Sequence, residues 1–466
     1  MVKQLFIDEA FNLNLYDSQI KLIKEHGIEL NNRKERNSFS IYIGNDEIEC
    51  EKHSLAYLLN KELPYYSNKT TSIFCENALE TALKRVLIDF FNIDKKVLLY
   101  LGKFPEFGFD VDGGSILARQ LIDSLKIRCK LDLVFIRKNK EVYQDEFVHS
   151  IRYVEYKDAF NNKFVRRLEN LDTNLEALKN YEQYNKVITA HVSKFFGINP
   201  DDNSFWNRAI LFPMFCTSSY KRAGENVPEE YTELESIVIK NVSKIITPSK
   251  QEQKDLLNDY ECNKSRISVI PRGINPLIKF KQQGKLENRL KIVYIGSIKP
   301  QKNNIDALHL LNELINKGYQ AEMHFICTIQ DKSIYEDMEN YIHGKNLEQY
   351  VFFHFEVSQS DMPEILDNMD INISVSTWET FGRGIFEGIS AGLPTFVLEH
   401  LEVVKEICAD NIGVRYSKSY KEMASEIIRV CNDSELYLQM HNALKTIART
   451  VSYKNEQQRL LEAILD

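Results

Sequence analysis

Short apolar runs bounded by charge or glycine alternate with amphipathic helical segments along most of this chain of 466 residues. One series of such runs comprises KKVLLYLG, LDLVFIR, KVITAH, AILFPMF and SKIITPS; a second comprises LKIVYIG, AEMHFICT, YVFFHFEV, INISVST and PTFVLE. Continuous apolar runs suit strands that are buried on both faces. Strands separated by helices indicate βαβ units and parallel sheets. The sequence therefore predicts an α/β fold of two doubly wound, Rossmann-like domains that face a cleft at the carboxyl ends of their strands.

The same alternation sets the predicted domain boundaries. Residues 95–275 are expected to form the first Rossmann-like domain and residues 276–445 the second, followed by a C-terminal helix at 446–466 that could cross back to the first domain. Residues 1–94 mix short apolar strings with charge. Apart from a helix predicted at 76–91, we interpret them as an N-terminal extension of unknown role. The sequence does not allow helices or strands to be assigned in the charged segment 138–175.

Charge and cysteine content exclude several classes of protein. The chain has 59 Lys+Arg against 67 Asp+Glu, a net charge of −8, which argues against a general nucleic-acid binder but not against a local basic pocket. Its eight cysteines contain no CxxC pair, so they favour free thiols in a reducing compartment over zinc or a disulfide framework. With no signal peptide and no apolar run long enough to span a bilayer, we expect a cytoplasmic protein, at most peripheral to a membrane. Its oligomeric state is open.

The most informative segment is SVSTWETFGRGIFEGISAGLP, residues 374–394. It predicts a strand ending at Thr377, then Glu379 in the ligand crevice, then a helix that starts near Arg383 and carries Glu387 one turn inside. The start of a helix favours phosphate, because its N–H groups are free and the helix dipole is positive there. Carboxylates accept hydrogen bonds from paired hydroxyls. The segment therefore predicts contacts of one glutamate with sugar hydroxyls and of the other with a ribose diol.

The register of Glu379, Phe381, Gly382 and Glu387, continued by a glycine and a proline, resembles the pattern S-x-x-E-x-F-G-x-x-x-x-E-x-x-x-x-G-x-P. This pattern is found in the retaining glycosyltransferases of the GT-B fold, family 4, which have a glycogen-synthase-like C-terminal domain. The resemblance covers residues from about 95 to about 450. It implies that Glu379 contacts the donor sugar and Glu387 the nucleotide ribose. It also implies sugar transfer from a nucleoside diphosphate sugar, most commonly a UDP-sugar, to a hydroxyl of a glycan, lipid, protein or small molecule, without a metal or another cofactor.

Three further segments resemble the same family. VIPRGIN (269–275) is similar to the family segment that leads into the second domain, and YIGSIKPQKN (294–303) to the loop after that domain's first strand. In this loop Gly296 would permit close backbone approach, and Lys302 would meet the donor diphosphate. Gly113 and Gly114 resemble the Gly-Gly loop over the reaction centre.

Three positions depart from the family pattern. In one, His400-Leu401-Glu402 replaces the Gly-Gly of the family's G-G-x-x-E segment, and Glu406 is the candidate for its Glu. Ser297 stands in the donor-binding loop where the family usually has an arginine. Lys299, Arg272 and Arg383 are the candidates to replace that charge. The histidine that many members place in the first domain is also missing from its usual strand end, and His191 is the looser match that could contact the donor sugar.

Other functions remain open from the sequence alone. A non-catalytic partner of another glycosyltransferase could keep this fold, and a sugar-nucleotide epimerase or hydrolase could share the architecture. A dinucleotide oxidoreductase is disfavoured, because no GxGxxG follows the first strand of either domain. Asp110 and Asp112 form a DxD sequence that we interpret as a loop rather than a metal site, and Phe104, Phe107 and Phe109 are candidate acceptor contacts.

Overall fold

A computed structural model describes the backbone of five N-terminal strands together with residues 95–102, 113–126, 128–137, 143, 148–157, 162–222, 224–282, 286 and 289–465. The chain divides into two compact units. The smaller comprises Met1–Val97, Asp123–Asp132 and Gln144–Ser150, and the larger comprises Leu98–Ile122, Leu133–Tyr143 and Ile151–Asp466. The helix predicted at 76–91 lies outside the described residues.

The N-terminal residues contain a sheet that the sequence analysis did not predict. Its strands are β1 (Lys3–Ile7), β2 (Ile28–Leu30), β3 (Phe39–Gly44), β4 (Leu55–Leu59) and β5 (Thr70–Ile73). The strand order is β2-β1-β3-β4-β5, and every neighbouring pair is parallel. This is one of the common orders of doubly wound sheets.

The next sheet has seven strands in the order β12-β11-β10-β9-β6-β7-β8. The strands are β6 (Lys96–Leu101), β7 (Lys130–Arg137), β8 (Ser150–Glu155), β9 (Lys186–Ala190), β10 (Ala209–Phe212), β11 (Lys244–Thr247) and β12 (Ile267–Val269). The associated helices are α1 (Gly113–Leu125), α2 (Lys163–Leu168), α3 (Leu171–Leu178), α4 (Asn203–Trp206), α5 (Thr217–Arg222), α6 (Glu229–Asn241) and α7 (Lys250–Asp259). Valine, leucine and isoleucine side chains of the strands pack with aromatic side chains of the helices to form the core.

Two parts of this domain differ from the sequence analysis. The unassigned segment 138–175 contains the edge strand β8 and two short helices, α2 and most of α3. The run AILFPMF forms a strand only as far as Phe212, because Pro213 has no N–H to donate to a neighbouring strand. The chain then turns through Met214, whose φ is +59°.

The third sheet has six strands in the order β15-β14-β13-β16-β17-β18, all parallel. The strands are β13 (Leu290–Ile295), β14 (Ala321–Cys327), β15 (Val351–Phe355), β16 (Ile371–Ser374), β17 (Thr395–Leu398) and β18 (Val414–Ser417). The helices are α8 (Asn304–Asn316), α9 (Lys332–Lys345), α10 (Met362–Asp367), α11 (Arg383–Ser390), α12 (Glu402–Cys408), α13 (Tyr420–Cys431), α14 (Ser434–Thr450) and α15 (Tyr453–Leu465). No helix in the described part of the chain is long and apolar enough to cross a membrane.

The order of this third sheet positions a ligand crevice. Strands β13 and β16 are neighbours, and successive strands are added outward from them in opposite directions. Ligands of doubly wound proteins bind at such a switch point, beyond the carboxyl ends of the two strands. The loops that follow Ile295 and Ser374 therefore border the expected crevice, and β16 ends three residues earlier than Thr377, where the sequence analysis placed its end.

The last helix, α15, contacts the first domain. Arg459 donates to the carbonyl of Val269 at 2.8 Å, and the Lys244 ammonium donates to the carbonyl of Ala463 at 2.5 Å. The Glu456 carboxylate accepts the backbone N–H of Gly273 at 2.8 Å. These bonds tie the C-terminal end of the chain to strands β11 and β12 and to the segment that leads into the second domain.

Candidate active site

A cavity of about 940 Å³ opens at the carboxyl ends of strands from both large sheets, within the larger compact unit. The first domain contributes the ends of β6 and β9 and the turn after β10. The second domain contributes the loops after β13, β14 and β16. The predicted residues that line the cavity are Gly114, His191, Arg272, Ser297, Lys302, Glu379, Phe381, Gly382 and Arg383, together with Lys299. Glu387 and Gly296 lie beside these residues rather than on the cavity wall.

An ion pair joins the two loops at the switch point. The ammonium of Lys302 lies 2.5 Å from Glu379 Oε1, and the two side chains are only 14% and 6% exposed. Gly296 makes room for this lysine, since a Cβ at Gly296 would lie 3.3 Å from the Lys302 Cδ and Cε atoms. The loops are also joined through Gln301, whose carbonyl accepts the Thr377 N–H at 2.9 Å. The pair is therefore held at the cavity wall by both loops.

The helix α11 begins at the same place. Gly382 precedes it with φ +83°, a conformation that favours glycine. Two further glycines seat the helix on the sheet: a Cβ on Gly384 would lie 2.3 Å from the carbonyl oxygen of Ile295, and a Cβ on Gly388 would lie 2.3 Å from Asn372 Cγ. The first turn of α11 thus lies directly against the end of β13, with its N–H groups at the cavity.

Glu387 is buried in this helix, with 3% of its surface exposed. Burial raises the pKa of its carboxyl group, while Arg383, Lys302 and a hydrogen bond from Gln359 oppose that rise. The aromatic ring of Phe381 stacks on that of Phe386 at 4.7 Å. The carboxylates of Glu379 and Glu387 therefore have different surroundings, one at the cavity wall and the other beneath it.

The three candidates for the charge missing at Ser297 have different partners. Arg383 donates to the carbonyl of Gly273 at 2.9 Å, and the Arg272 guanidinium lies 3.9 Å from Glu456. The ammonium of Lys299 has no carboxylate within ion-pair distance among the described residues, and burial together with the charge on Lys302 lowers its pKa. Lys299 is thus the candidate best placed to meet a ligand anion beside Lys302.

His191 follows β9 at the opposite wall. Its φ of +122° is rare for a residue with a side chain, and such strain is often found at functional sites. Its Nδ1 accepts the Ser193 N–H at 3.2 Å, and Nε2 lies 3.1 Å from the Tyr220 hydroxyl. Burial, followed by the charges of Arg167, Lys194 and Lys163, lowers the pKa of His191 well below its ordinary value. We therefore assign it a neutral ring with the proton on Nε2.

Several residues of this first-domain wall were missed by the sequence analysis. Lys163, Arg166 and Arg167 come from α2, and Lys194 comes from the 3₁₀ turn after His191. All four lie in or next to sequence that carries no recognisable motif. The only signal available was the basic run KFVRR, which is also typical of a solvated helix.

Charge distinguishes the cavity from the rest of the protein. Among the described residues that line it, eight have cationic side chains and two have carboxylates. The cations are Lys163, Arg166, Arg167, Lys194, Arg272, Lys299, Lys302 and Arg383, and the carboxylates are Glu225 and Glu379. The whole chain, in contrast, has a net charge of −8. The cavity is therefore suited to a ligand with several negative charges.

The remaining predicted positions are less informative. Gly113 and Gly114 begin α1, and Gly114 lines the cavity. Phe104, Phe107, Phe109, Asp110 and Asp112 lie outside the described residues. Within the described part of the chain, no three His, Cys, Asp or Glu side chains are grouped in a way that could hold a metal ion.

The fold and the site together define a class of protein. Two Rossmann-like domains with a cavity at the carboxyl ends of their strands form the GT-B fold of glycosyltransferases. A solved structure, sucrose-phosphate synthase from Thermosynechococcus elongatus, superposes with a TM-score of 0.63 at 15% identity and covers 79% of this chain and 98% of its own. At that identity the similarity shows the fold alone.

Sequence comparisons point to the same class. Residues 277–447 match the family model "Glycosyl transferases group 1". Protein CapJ of Staphylococcus aureus is 30% identical over 172 residues, which are 36% of this chain and 41% of CapJ. UDP-Gal:alpha-D-GlcNAc-diphosphoundecaprenol alpha-1,3-galactosyltransferase of Escherichia coli is 26% identical over 194 residues, 39% of this chain and 49% of that enzyme. The chain thus spans less than half the length of these relatives, and the matches support a GT-B glycosyltransferase.

Proposed function

We propose that this protein is a retaining glycosyltransferase of family 4 that transfers a sugar from a nucleoside diphosphate sugar, with UDP as the favoured nucleotide, to a hydroxyl acceptor. The observation that carries the proposal is the Lys302–Glu379 ion pair at the switch point, beside the start of α11. The UDP-sugar named for the Escherichia coli relative supports the choice of nucleotide. Hexosyl transfer, peripheral membrane contact and a cytoplasmic location are parts of the same proposal.

The donor diphosphate would bind to the second domain. Lys302 and Lys299 supply cations, and the N–H groups at the start of α11 supply a positive helix end. Glu379 holds the Lys302 ammonium in place until a donor binds, when its carboxylate would accept hydrogen bonds from the sugar hydroxyls. Glu387 would hold the ribose. These groups stabilise the charge that develops on the departing diphosphate, so we propose that no metal is required.

The reaction would follow front-face attack. The bond from the anomeric carbon to the departing phosphate oxygen breaks, the acceptor oxygen bonds to the same face, and its proton passes to that phosphate oxygen. The groups that line the cavity would bind and orient the donor and the acceptor, and would exclude water. This mechanism needs no protein nucleophile.

A thermal-shift panel of UDP, GDP, ADP and TDP tests the donor site. A ligand that binds only the folded protein raises its stability by about 2.7 kcal/mol at one hundred times its dissociation constant. We expect one nucleotide to raise the melting temperature of the wild-type protein and to do so much less in Glu387→Gln. Glu402→Gln is the matched control, because Glu402 is an exposed helix-start acid whose ion-pair partner in the described part of the chain is Lys405.

Incubation of the protein with the sugar form of that nucleotide then separates the alternatives. Product that forms only when an acceptor alcohol is added supports transfer. Conversion of the donor without an acceptor would instead support an epimerase or hydrolase. No shift with any nucleotide, on protein shown to be folded, would overturn the proposal in favour of a non-catalytic partner.

A further inference from the structure

The first-domain wall of the cavity has an excess of positive charge that a donor at the second domain does not use. Its cations are Lys163, Arg166, Arg167 and Lys194, and the one carboxylate among the described residues on this wall is Glu225. A nucleoside diphosphate sugar carries about one negative charge per phosphate, which the lysines of the second domain already match. Arg167 in particular therefore requires a different explanation.

Arg167 is the most informative of these residues. Its guanidinium donates to the hydroxyl of Tyr220 at 2.9 Å and to that of Tyr231 at 3.3 Å. Its guanidinium carbon also lies 6.0 Å from the centre of the Phe164 ring. No described carboxylate lies within ion-pair distance of this arginine. A half-buried guanidinium that contacts only neutral groups among the described residues lacks a nearby opposite charge, and an anionic ligand would supply it.

The neighbouring lysines, Lys163 and Lys194, line the same cavity as Arg167. Lys163 pairs with Glu225 at 2.5 Å, but both side chains are 35% exposed, and an ion pair of this kind is weak enough to open. The Lys194 ammonium lies 5.2 Å from the centre of the Tyr100 ring and 4.8 Å from that of Tyr156.

Hydrogen-bond donors converge on the same place. Tyr220 accepts hydrogen bonds from Arg167 and from His191 Nε2–H, which occupies both lone pairs of its oxygen. Its own proton then has no acceptor among the described residues. Arginine, lysine and tyrosine donors that share one wall favour an oxyanion with several acceptor atoms, which is the geometry of phosphate.

We propose that this wall, formed by Lys163, Arg166, Arg167, Lys194 and Tyr220, binds a phosphate or diphosphate group of the acceptor. The inference rests on the proposed function, since it assigns the acceptor of the same reaction. The acceptor is thus a sugar phosphate or sugar diphosphate ester whose free hydroxyl reaches the donor. The phosphate group itself undergoes no reaction and serves to position that hydroxyl.

A binding experiment separates this inference from the proposed function. The protein is saturated with the nucleotide identified above, and inorganic pyrophosphate is then added while the melting temperature is measured. We expect a second, additive increase that is lost in Arg167→Gln, partly restored in Arg167→Lys and kept in Arg429→Gln, an exposed arginine paired with Glu426. The nucleotide-induced increase should persist in Arg167→Gln, which shows that the variant folds and binds the donor.

The result that overturns the inference alone is a nucleotide shift with no further effect of pyrophosphate. A pyrophosphate shift that survives Arg167→Gln also overturns it, because the anion then binds elsewhere. Absence of any nucleotide shift overturns the proposed function, and the acceptor assignment fails with it.

Acceptor turnover tests the same point and distinguishes the sources of the phosphate. One sugar is offered as its neutral phenyl glycoside, as its 1-phosphate and as its farnesyl diphosphate ester. We expect Arg167→Gln to reduce kcat/KM for the favoured phosphorylated form about 10- to 100-fold, the loss expected for a hydrogen bond to a charged group. Preference for the 1-phosphate indicates a soluble acceptor, and preference for the farnesyl ester indicates a lipid-linked one. Equal turnover of the neutral glycoside by the wild-type protein would contradict the inference.

Discussion

The close seating of α11 on strand β13 leads to a prediction about Gly384. A Cβ at this position would lie 2.3 Å from the carbonyl oxygen of Ile295 and 2.8 Å from its Cβ atom. Neither atom is the end of a flexible side chain, so Gly384→Ala must push the helix off the strand. Overpacking of this kind costs about 1–3 kcal/mol, partly offset by a gain of up to about 1 kcal/mol from replacing a helical glycine.

Gly344 provides the matched control. It lies near the end of helix α9, and a Cβ there would have nothing within 4 Å. Gly344→Ala should therefore stabilise the protein by up to about 1 kcal/mol. For a domain of this size, each kcal/mol corresponds to about 2–4 °C in melting temperature. Gly384→Ala should thus melt several degrees lower than the wild-type protein, and Gly344→Ala slightly higher.

Nucleotide binding completes this test. Displacement of α11 moves the N–H groups of its first turn away from the cavity, so Gly384→Ala should also lose most of the nucleotide-induced increase in melting temperature. Gly344→Ala should keep that increase. If Gly384→Ala proves as stable as the wild-type protein and binds nucleotide equally well, the close contact with Ile295 and its role in the donor site are both refuted.

Three further predictions concern ionisable groups. Lys302→Ala should reduce the rate of sugar transfer about 10²- to 10³-fold, the loss typical of one group that stabilises developing charge, while Lys405→Ala leaves it unchanged. Burial raises the pKa of Glu252 to about 8, so this group lowers the free energy of unfolding increasingly as pH rises from about 4.5 to about 8. Urea denaturation should therefore show a smaller loss of stability over this pH range in Glu252→Gln than in the wild-type protein. The lowered pKa of His191 has the opposite effect, because its neutral form is favoured in the folded protein. Stability should fall as pH drops below about 6.5, and less so in His191→Gln.

The second domain was largely predictable from the sequence. Strand β16, the start of α11 near Arg383 and the position of Glu387 one turn later all follow from local signals. These signals are an apolar run, a glycine that permits positive φ, and the spacing of the residues that follow. The seating of the helix on Gly384 and Gly388 was not predicted, because a glycine gives no sign in the sequence of which atoms approach it.

The first-domain wall was not predictable in the same way. Lys163 and Arg167 lie in a helix of six residues, too short for a periodic pattern to emerge from its charged surroundings. Their role depends on contacts with Tyr220 and Glu225, more than fifty residues later, which only the folded chain brings together. The parallel sheet at the N-terminus was missed for a related reason, since its strands have only three to six residues each.

The most direct test of the central claim is a crystal structure of the protein with bound UDP. The account predicts that the diphosphate lies within hydrogen-bond distance of the Lys302 ammonium and of the N–H groups at Gly382 and Arg383, with the ribose beside Glu387. A diphosphate bound instead at Arg167 and Lys163, with Lys302 still paired to Glu379, would contradict the assignment of the donor site to the second domain.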